Sequence, residues 1–219
     1  WNNNAAFVKL ARNAQSISLD LKHQQGREIF LQLVAVADVV IENFSARAMP
    51  AMDLSYEVLR AHNPRLIYIT MPGYGTSGPY RDWVAFGPTV EPMTGLSQML
   101  GYSQQEPRNS AMALMDPIGG TTAVTALLTA LREREQTARG AYVELSLHEC
   151  GVTFNGPWLI ERQLGGELGP QGNGHPEMAP HGMYRCRSRN LADDADWVAV
   201  ACQDQCAWQG LVSLLGGEL

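Results

Sequence analysis

An α/β fold is what this 219-residue sequence predicts: a mainly parallel sheet with flanking helices, followed by the start of a smaller α+β domain. Three observations carry it. Short apolar runs alternate with segments of helical periodicity as far as Ser146, which is the rhythm of βαβ units. A Gly- and Pro-rich stretch over residues 165–180 then interrupts that rhythm. Beyond it the pattern becomes two strands and a helix, as at the opening of a second unit.

Each element has its own signal. Ser16-Ile17-Ser18-Leu19-Asp20-Leu21 alternates polar and apolar residues and predicts a half-buried strand. Gly26 opens an amphipathic helix, in which Ile29, Phe30, Leu33, Val34 and Ala37 recur at helical spacing. Asp38 breaks it, and Val39-Val40-Ile41 is an apolar run of the kind that parallel strands bury on both faces. Ser55 is placed to cap a helix reaching Ala61. Asn63-Pro64 ends that helix, and Leu66-Ile67-Tyr68-Ile69-Thr70-Met71 is the next strand.

A breaker-rich loop over residues 72–80 follows, and a second irregular region covers 101–115. A long helix is expected from Pro117 to about Glu135, with Val124, Leu127, Leu128 and Leu131 on one face. Tyr142-Val143-Glu144-Leu145-Ser146 is a strand, and a further helix is expected over 149–164. The later pair of strands falls at 182–186 and 197–201, with a helix from Asp204.

Bulk properties narrow the function. A net charge of −6 argues against nucleic-acid or anionic-membrane partners, both of which reward a basic surface. No stretch approaches ~20 uninterrupted apolar residues, so no membrane span is expected. Cys150, Cys186, Cys202 and Cys206 are too few and scattered for a secreted disulfide framework, which points to free thiols and a cytoplasmic location. The first residues lack a signal-peptide pattern. The polar start and the Leu214-Leu215-Gly216-Gly217-Glu218-Leu219 end both read as cuts into a longer organised chain.

Candidate chemistry concentrates at Asp116-Pro117-Ile118-Gly119-Gly120. Asp and Pro there suit the N-cap and first turn of the long helix. The two glycines leave the helix start open to close approach by a ligand, whose anionic oxygen would meet helix-end N–H groups. A carboxylate can cap and attack from one position, so both readings stand. Glu42-Asn43-Phe44 follows an expected strand at the edge where open α/β sheets bind ligands; a plain turn with Asn43 left-handed is the alternative. The Tyr74-Gly75 to Gly78 loop is neither a dinucleotide fingerprint nor a P-loop. His175, His181, Cys202 and Cys206 lack metal-ligand spacing, so no metal is expected.

Taken in order, these pieces resemble the class III CoA-transferase family, which embraces formyl-CoA transferases, carnitine CoA-transferases and α-methylacyl-CoA racemases. The matching run includes Gly26-Arg27-Glu28, Ala37-Asp38-Val39-Val40-Ile41-Glu42-Asn43-Phe44, Leu54-Ser55-Tyr56-Glu57 and Asn63-Pro64-Arg65-Leu66-Ile67-Tyr68. It continues through Gly73-Tyr74-Gly75, Asp116, Thr137-Ala138-Arg139-Gly140, His175-Pro176 and Ala179-Pro180-His181-Gly182. The resemblance implies part of a Rossmann-like, CoA-binding large domain over 1–165, a linker over 166–181 and the start of a small domain over 182–219.

It also implies a reaction. An aspartate at the position of Asp116 attacks an acyl-CoA thioester and forms an aspartyl-acyl anhydride, after which a small carboxylic acid leaves as its own CoA ester. By position, Leu19, Lys22, Asn43, Phe44 and Leu147 match residues lining the CoA site, and the N–H groups around Gly119 suit the oxyanion. Coenzyme A is thus substrate, with no permanently bound cofactor, and a homodimer is implied. The sequence departs from the family at Ala138, where the pattern has Gly, and at Ala51, where an arginine is common. Phe86 stands where the racemase branch has a catalytic histidine, which favours transfer over racemisation. Family chains are about twice as long. An inert remnant keeping a dimerising α/β core is therefore the competing reading.

Overall fold

The computed structural model describes residues 4–167, 169–186 and 196–216; the polar start at 1–3 and the closing 217–219 lie outside them. Helices α1 (Ala5–Leu10) and α2 (Gln24–Val36) precede strand β1 (Val39–Glu42). Helices α3 (Ala48–Ala51) and α4 (Tyr56–His62) lead to β2 (Ile67–Thr70). Helices α5 (Gly87–Met93), α6 (Leu96–Met99) and α7 (Met115–Thr137) precede β3 (Ala141–Glu144). Then come α8 (Leu147–Phe154), α9 (Gly156–Gln163), β4 (His181–Arg185), β5 (Trp197–Ala201) and α10 (Gln205–Leu214).

The chain divides into two compact units, Trp1–Trp83 with Thr121–Leu145, and Val84–Gly120 with Ser146–Leu219. In the first, β1, β2 and β3 form a parallel sheet in that order, with Val39 opposite Ile67 and Ile67 opposite Ala141. This is the parallel α/β sheet that the alternating pattern predicts. All four residues of β2 are buried because it is the central strand with helices on both faces. Tyr68 joins Val34, Met49, Leu54, Leu59 and Leu66 in one cluster. Ile67 and Ile69 point the other way, onto Ala123 and Ala130 of α7. Burial of each isoleucine contributes about 1.5–3 kcal/mol.

Polar contacts close the ends of this unit. Asn63 donates from Nδ2 to the carbonyls of Val34 and Ala37, tying the end of α4 to the end of α2. Arg134, near the end of α7, donates to the Asp38 and Arg65 carbonyls and lies 2.9 Å from the Asp38 carboxylate. Gly140 brings its backbone so close to Leu66 that an added Cβ would lie 2.0 Å from the Leu66 carbonyl oxygen.

Three expectations are corrected. Residues 16–21 are not a strand. The segment is mostly exposed, and a local turn takes its polar groups: Lys22 N–H donates to Asp20 Oδ1, and Arg27 donates to the Leu21 and Lys22 carbonyls. The expected helix over 149–164 is two helices, because Pro157 in the first turn of α9 has no N–H to continue α8. Buried Asn155 sits at the break and donates to the Thr94 carbonyl. Ser55 occupies the N-cap position of α4, but its hydroxyl donates to Glu57 and caps no backbone N–H.

In the second unit, α5 carries a fully buried carboxylate, Glu91, which accepts from the Ser110 hydroxyl at 2.6 Å and from the Ser110 N–H. The β4–β5 ribbon is antiparallel, with His181 opposite Ala201 and Arg185 opposite Trp197. Asp204 caps α10 by accepting from the Ala207 N–H.

Candidate active site

Helix α7 starts at Met115, so Asp116 lies inside its first turn and is not the N-cap. Its N–H reaches back to the Ala113 carbonyl, and Ala113 holds a left-handed φ of 47° as the chain turns into the helix. Two close approaches between α7 and α8 lock this start. Leu147 of α8 lies over Gly119, where an added Cβ would be 2.2 Å from its Cδ2. Met115 of α7 lies over Gly151, where an added Cβ would be 2.5 Å from its Sδ. Each helix thus offers a glycine to a side chain of the other, at positions four residues apart on both, which lie on one helical face.

This interlock changes what the glycines can do. The face of Gly119 is filled by Leu147, whereas a Cβ on Gly120 would meet nothing within 4 Å. Open backbone at the start of α7 therefore belongs to Gly120.

Asp116 is exposed as a residue, yet its carboxyl rests against α5. A methyl on Gly87 would lie 2.9 Å from Asp116 Oδ2, 3.0 Å from its Cγ and 3.0 Å from Ala113 Cβ. One oxygen is therefore packed against backbone while the side chain still reaches solvent. Loss of solvation pushes the carboxyl above its ordinary pKa. When ionised, such a carboxylate is less hydrated than a free one, which suits nucleophilic attack on an acyl carbon.

Among the residues singled out from sequence, Asp116, Gly119 and Leu147 fall together in the second unit. Leu19, Lys22, Asn43 and Phe44 fall in the first. Asn43 follows β1, where its φ is not left-handed; its Nδ2 donates to the Met71 carbonyl just beyond β2. Phe44 is half exposed and its N–H donates to Glu42 Oε2 at 2.7 Å. Lys22 is exposed on the turn before α2, and Leu19 is half-buried.

A cavity of about 290 Å³ opens in the first unit, where Glu42, Thr70 and Tyr142 line it together with Tyr56, Tyr68 and Thr76. Glu42 and Thr70 end their strands, so the cavity lies at the C-terminal sheet edge where open α/β sheets bind ligands. Tyr56, Tyr68 and Tyr142 form a ring cluster with centroids 5.1–6.1 Å apart. Burial, then the neighbouring Glu42 carboxylate, raises the Tyr68 phenol, which donates to Glu42 Oε1 at 2.9 Å. Glu144 fixes the breaker-rich loop by accepting from the Thr76 N–H and hydroxyl.

Sequence reasoning missed Gly87 and the tyrosine cluster. The available signal for Gly87 was Phe86-Gly87-Pro88-Thr89, a proline in a first helical turn with a threonine whose hydroxyl serves the Phe86 N–H.

Comparison with known proteins gives the decisive observation: a family model described as CoA-transferase family III matches residues 1–219. The chain belongs to CoA-transferase family III. A succinyl-CoA–L-malate CoA-transferase alpha subunit of Chloroflexus aurantiacus is 35% identical over 199 residues, covering 90% of this chain and 45% of that one. An acetyl-CoA:oxalate CoA-transferase of Acetobacter aceti is 32% identical over 212 residues, covering 96% of this chain and 53% of that one. The crystal structure of a CAIB/BAIF family protein from Brucella suis superposes with a TM-score of 0.82 at 31% identity, over 94% of this chain and 53% of that one. The chain thus spans about half the length of the curated family III relatives it matches.

Proposed function

We propose that this chain carries the nucleophile of a CoA-transferase that moves CoA from an acyl-CoA to a small carboxylic acid. The single observation behind this reading is an exposed, partly desolvated Asp116 at the glycine-lined start of α7, in a chain belonging to CoA-transferase family III.

The steps balance without an external base. An Asp116 carboxylate oxygen bonds to the thioester carbon, the C–S bond breaks, and CoA leaves as thiolate with an aspartyl-acyl anhydride behind it. The thiolate then attacks the aspartyl carbonyl, which releases the donor acid and leaves an aspartyl thioester. The acceptor carboxylate displaces the thiolate again to give a second anhydride. Thiolate attack on the acceptor's acyl carbon frees Asp116 and completes the new acyl-CoA. The Ile118 N–H already bonds to the Leu114 carbonyl, so the helix ladder takes the N–H groups of Gly119 and Gly120, and what Gly120 supplies to the tetrahedral intermediates is an unobstructed face.

On the same reading, Leu19, Lys22, Asn43, Phe44 and Leu147 contribute to the CoA site, with Lys22 paired to a CoA phosphate. The large-domain, linker and small-domain division at 165 and 181, a homodimer and a cytoplasmic location belong to this proposal. Among the described residues, no helix is long and apolar enough to cross a membrane.

The test is incubation with an acyl-CoA radiolabelled in its acyl group. Label becomes covalently attached to the intact protein and is absent from Asp116→Ala. Failure of the intact protein to take label supports the inert-remnant reading instead. Solvent deuterium entering the acyl α-position would support a racemase.

A further inference from the structure

The proposed chemistry gives no role to α5, yet two residues of this helix bear on Asp116, one directly and one through the segment that precedes it. Gly87, its first residue, is buried against the Asp116 carboxyl, where a single added carbon would come within 3.0 Å of both Cγ and Oδ2. Four residues on, and so on the same helical face, lies Glu91. Glu91 is fully buried, and both its oxygens accept from Ser110, six residues before Asp116. The neighbouring residues of that segment are held to the same region: Asn109 donates to the Pro88 carbonyl at 2.9 Å, and Arg108 N–H donates to the Ser97 carbonyl at 3.1 Å. After Ser110 the chain reaches Ala113, whose left-handed turn delivers Asp116 into α7.

We infer that Gly87 and Glu91 are positioning residues for Asp116: Gly87 sets where the carboxyl rests by having no side chain, and Glu91 sets the path of the segment that leads into it. Any larger residue at 87 has to displace either Asp116 or the Ala113 turn. The carboxyl is the part free to move, because it reaches solvent, whereas the turn is followed by a helix interlocked with α8. Glu91 acts at a distance from the reacting atoms, and its buried carboxylate is kept for the two hydrogen bonds it accepts. An unfilled buried acceptor would be costly, so this contact is a strong restraint.

The catalytic part of this inference rests on Asp116 being the nucleophile, but the positional part does not, and two readouts separate them. The first is the titration of the Asp116 carboxyl, followed by carbon-13 NMR of protein labelled in its aspartate carboxyls and assigned with Asp116→Asn. The second is the rate of acyl labelling, with kcat and KM resolved. Gly87→Ala is expected to turn the carboxyl outward, bringing its pKa down toward the ordinary value, and to slow labelling about 100-fold with KM for acyl-CoA little changed. Glu91→Gln, which keeps the side-chain shape, slows labelling about tenfold. Gly156→Ala, at a helical glycine with open space around it, is the control and leaves both readouts unchanged.

Should Gly87→Ala fold poorly, Glu91→Gln still decides the matter through the same two measurements. Wild-type titration and labelling in both folded variants overturn the inference while leaving the nucleophile proposal intact. A shifted titration in a protein that never takes label does the reverse: positioning stands and the transferase reading falls.

Discussion

The β2 strand and the turn into α7 put the same kinds of residue to opposite uses. At β2, Ile67 and Ile69 are fully buried against Ala123 and Ala130, and small residues there let a helix lie close on a sheet. Around Asp116, Gly119 and Gly151 also admit close neighbours, but the result is a fixed helix start that carries an exposed carboxylate. One region converts close packing into stability; the other converts it into the orientation of one polar group. Mutations that separate the two quantities therefore test whether the division is real.

The largest effect is on chemistry. Asp116→Ala removes the nucleophile and lowers acyl labelling by at least about a thousandfold, while its melting temperature stays near that of the parent. Next comes Ile69→Ala, which leaves a cavity at the centre of the sheet and costs about 2–5 kcal/mol in urea unfolding. Gly119→Ala drives a methyl into Leu147 and costs about 1–3 kcal/mol. Adding Leu147→Ala recovers part of that loss, and a double-mutant cycle with no coupling would break the interlock account.

A smaller effect of opposite sign is expected at Ala138. Its φ of 58° is left-handed, at the position where the family pattern has glycine. Ala138→Gly therefore stabilises the protein by about 0.5–1 kcal/mol, read as a raised melting temperature.

The smallest effect is a dependence on pH. Desolvation raises the Asp116 pKa in the folded state, so the folded protein binds this proton more tightly than the unfolded chain. The associated penalty is absent below the ordinary carboxylate pKa, grows as pH rises, and is complete above the folded value. Asp116→Asn should accordingly raise the melting temperature slightly at neutral pH and not at all in strong acid. For labelling the sign is the other way: the acid limb of the rate lies above the ordinary carboxylate pKa, because only the ionised carboxyl attacks.

The contrast also explains what the amino-acid order disclosed. The central strand was legible because burial on both faces demands a continuous apolar run, and Leu66 to Met71 supplies one. Asp116 stood out because Pro117 follows it directly and two glycines come within four residues. Residues 16–21 carried a strand's alternation but form no strand, since alternation marks a strand only where a neighbour pairs with it. Helix α5 was hidden by Pro88 and Pro92, which break the usual helical signature. The Gly87–Asp116 and Gly119–Leu147 approaches join residues 28 or 29 positions apart, and no local pattern encodes which glycine meets which side chain. Local chemistry was readable; the shape complementarity that aims it was not.

The central claim is that one carboxylate becomes covalently acylated. Trapping the intermediate with hydroxylamine during turnover of an acyl-CoA, followed by peptide mapping, tests it most directly. The account predicts a hydroxamate on Asp116 alone. A hydroxamate on Glu42, Glu91 or any other carboxylate, with Asp116 unmodified, would contradict it.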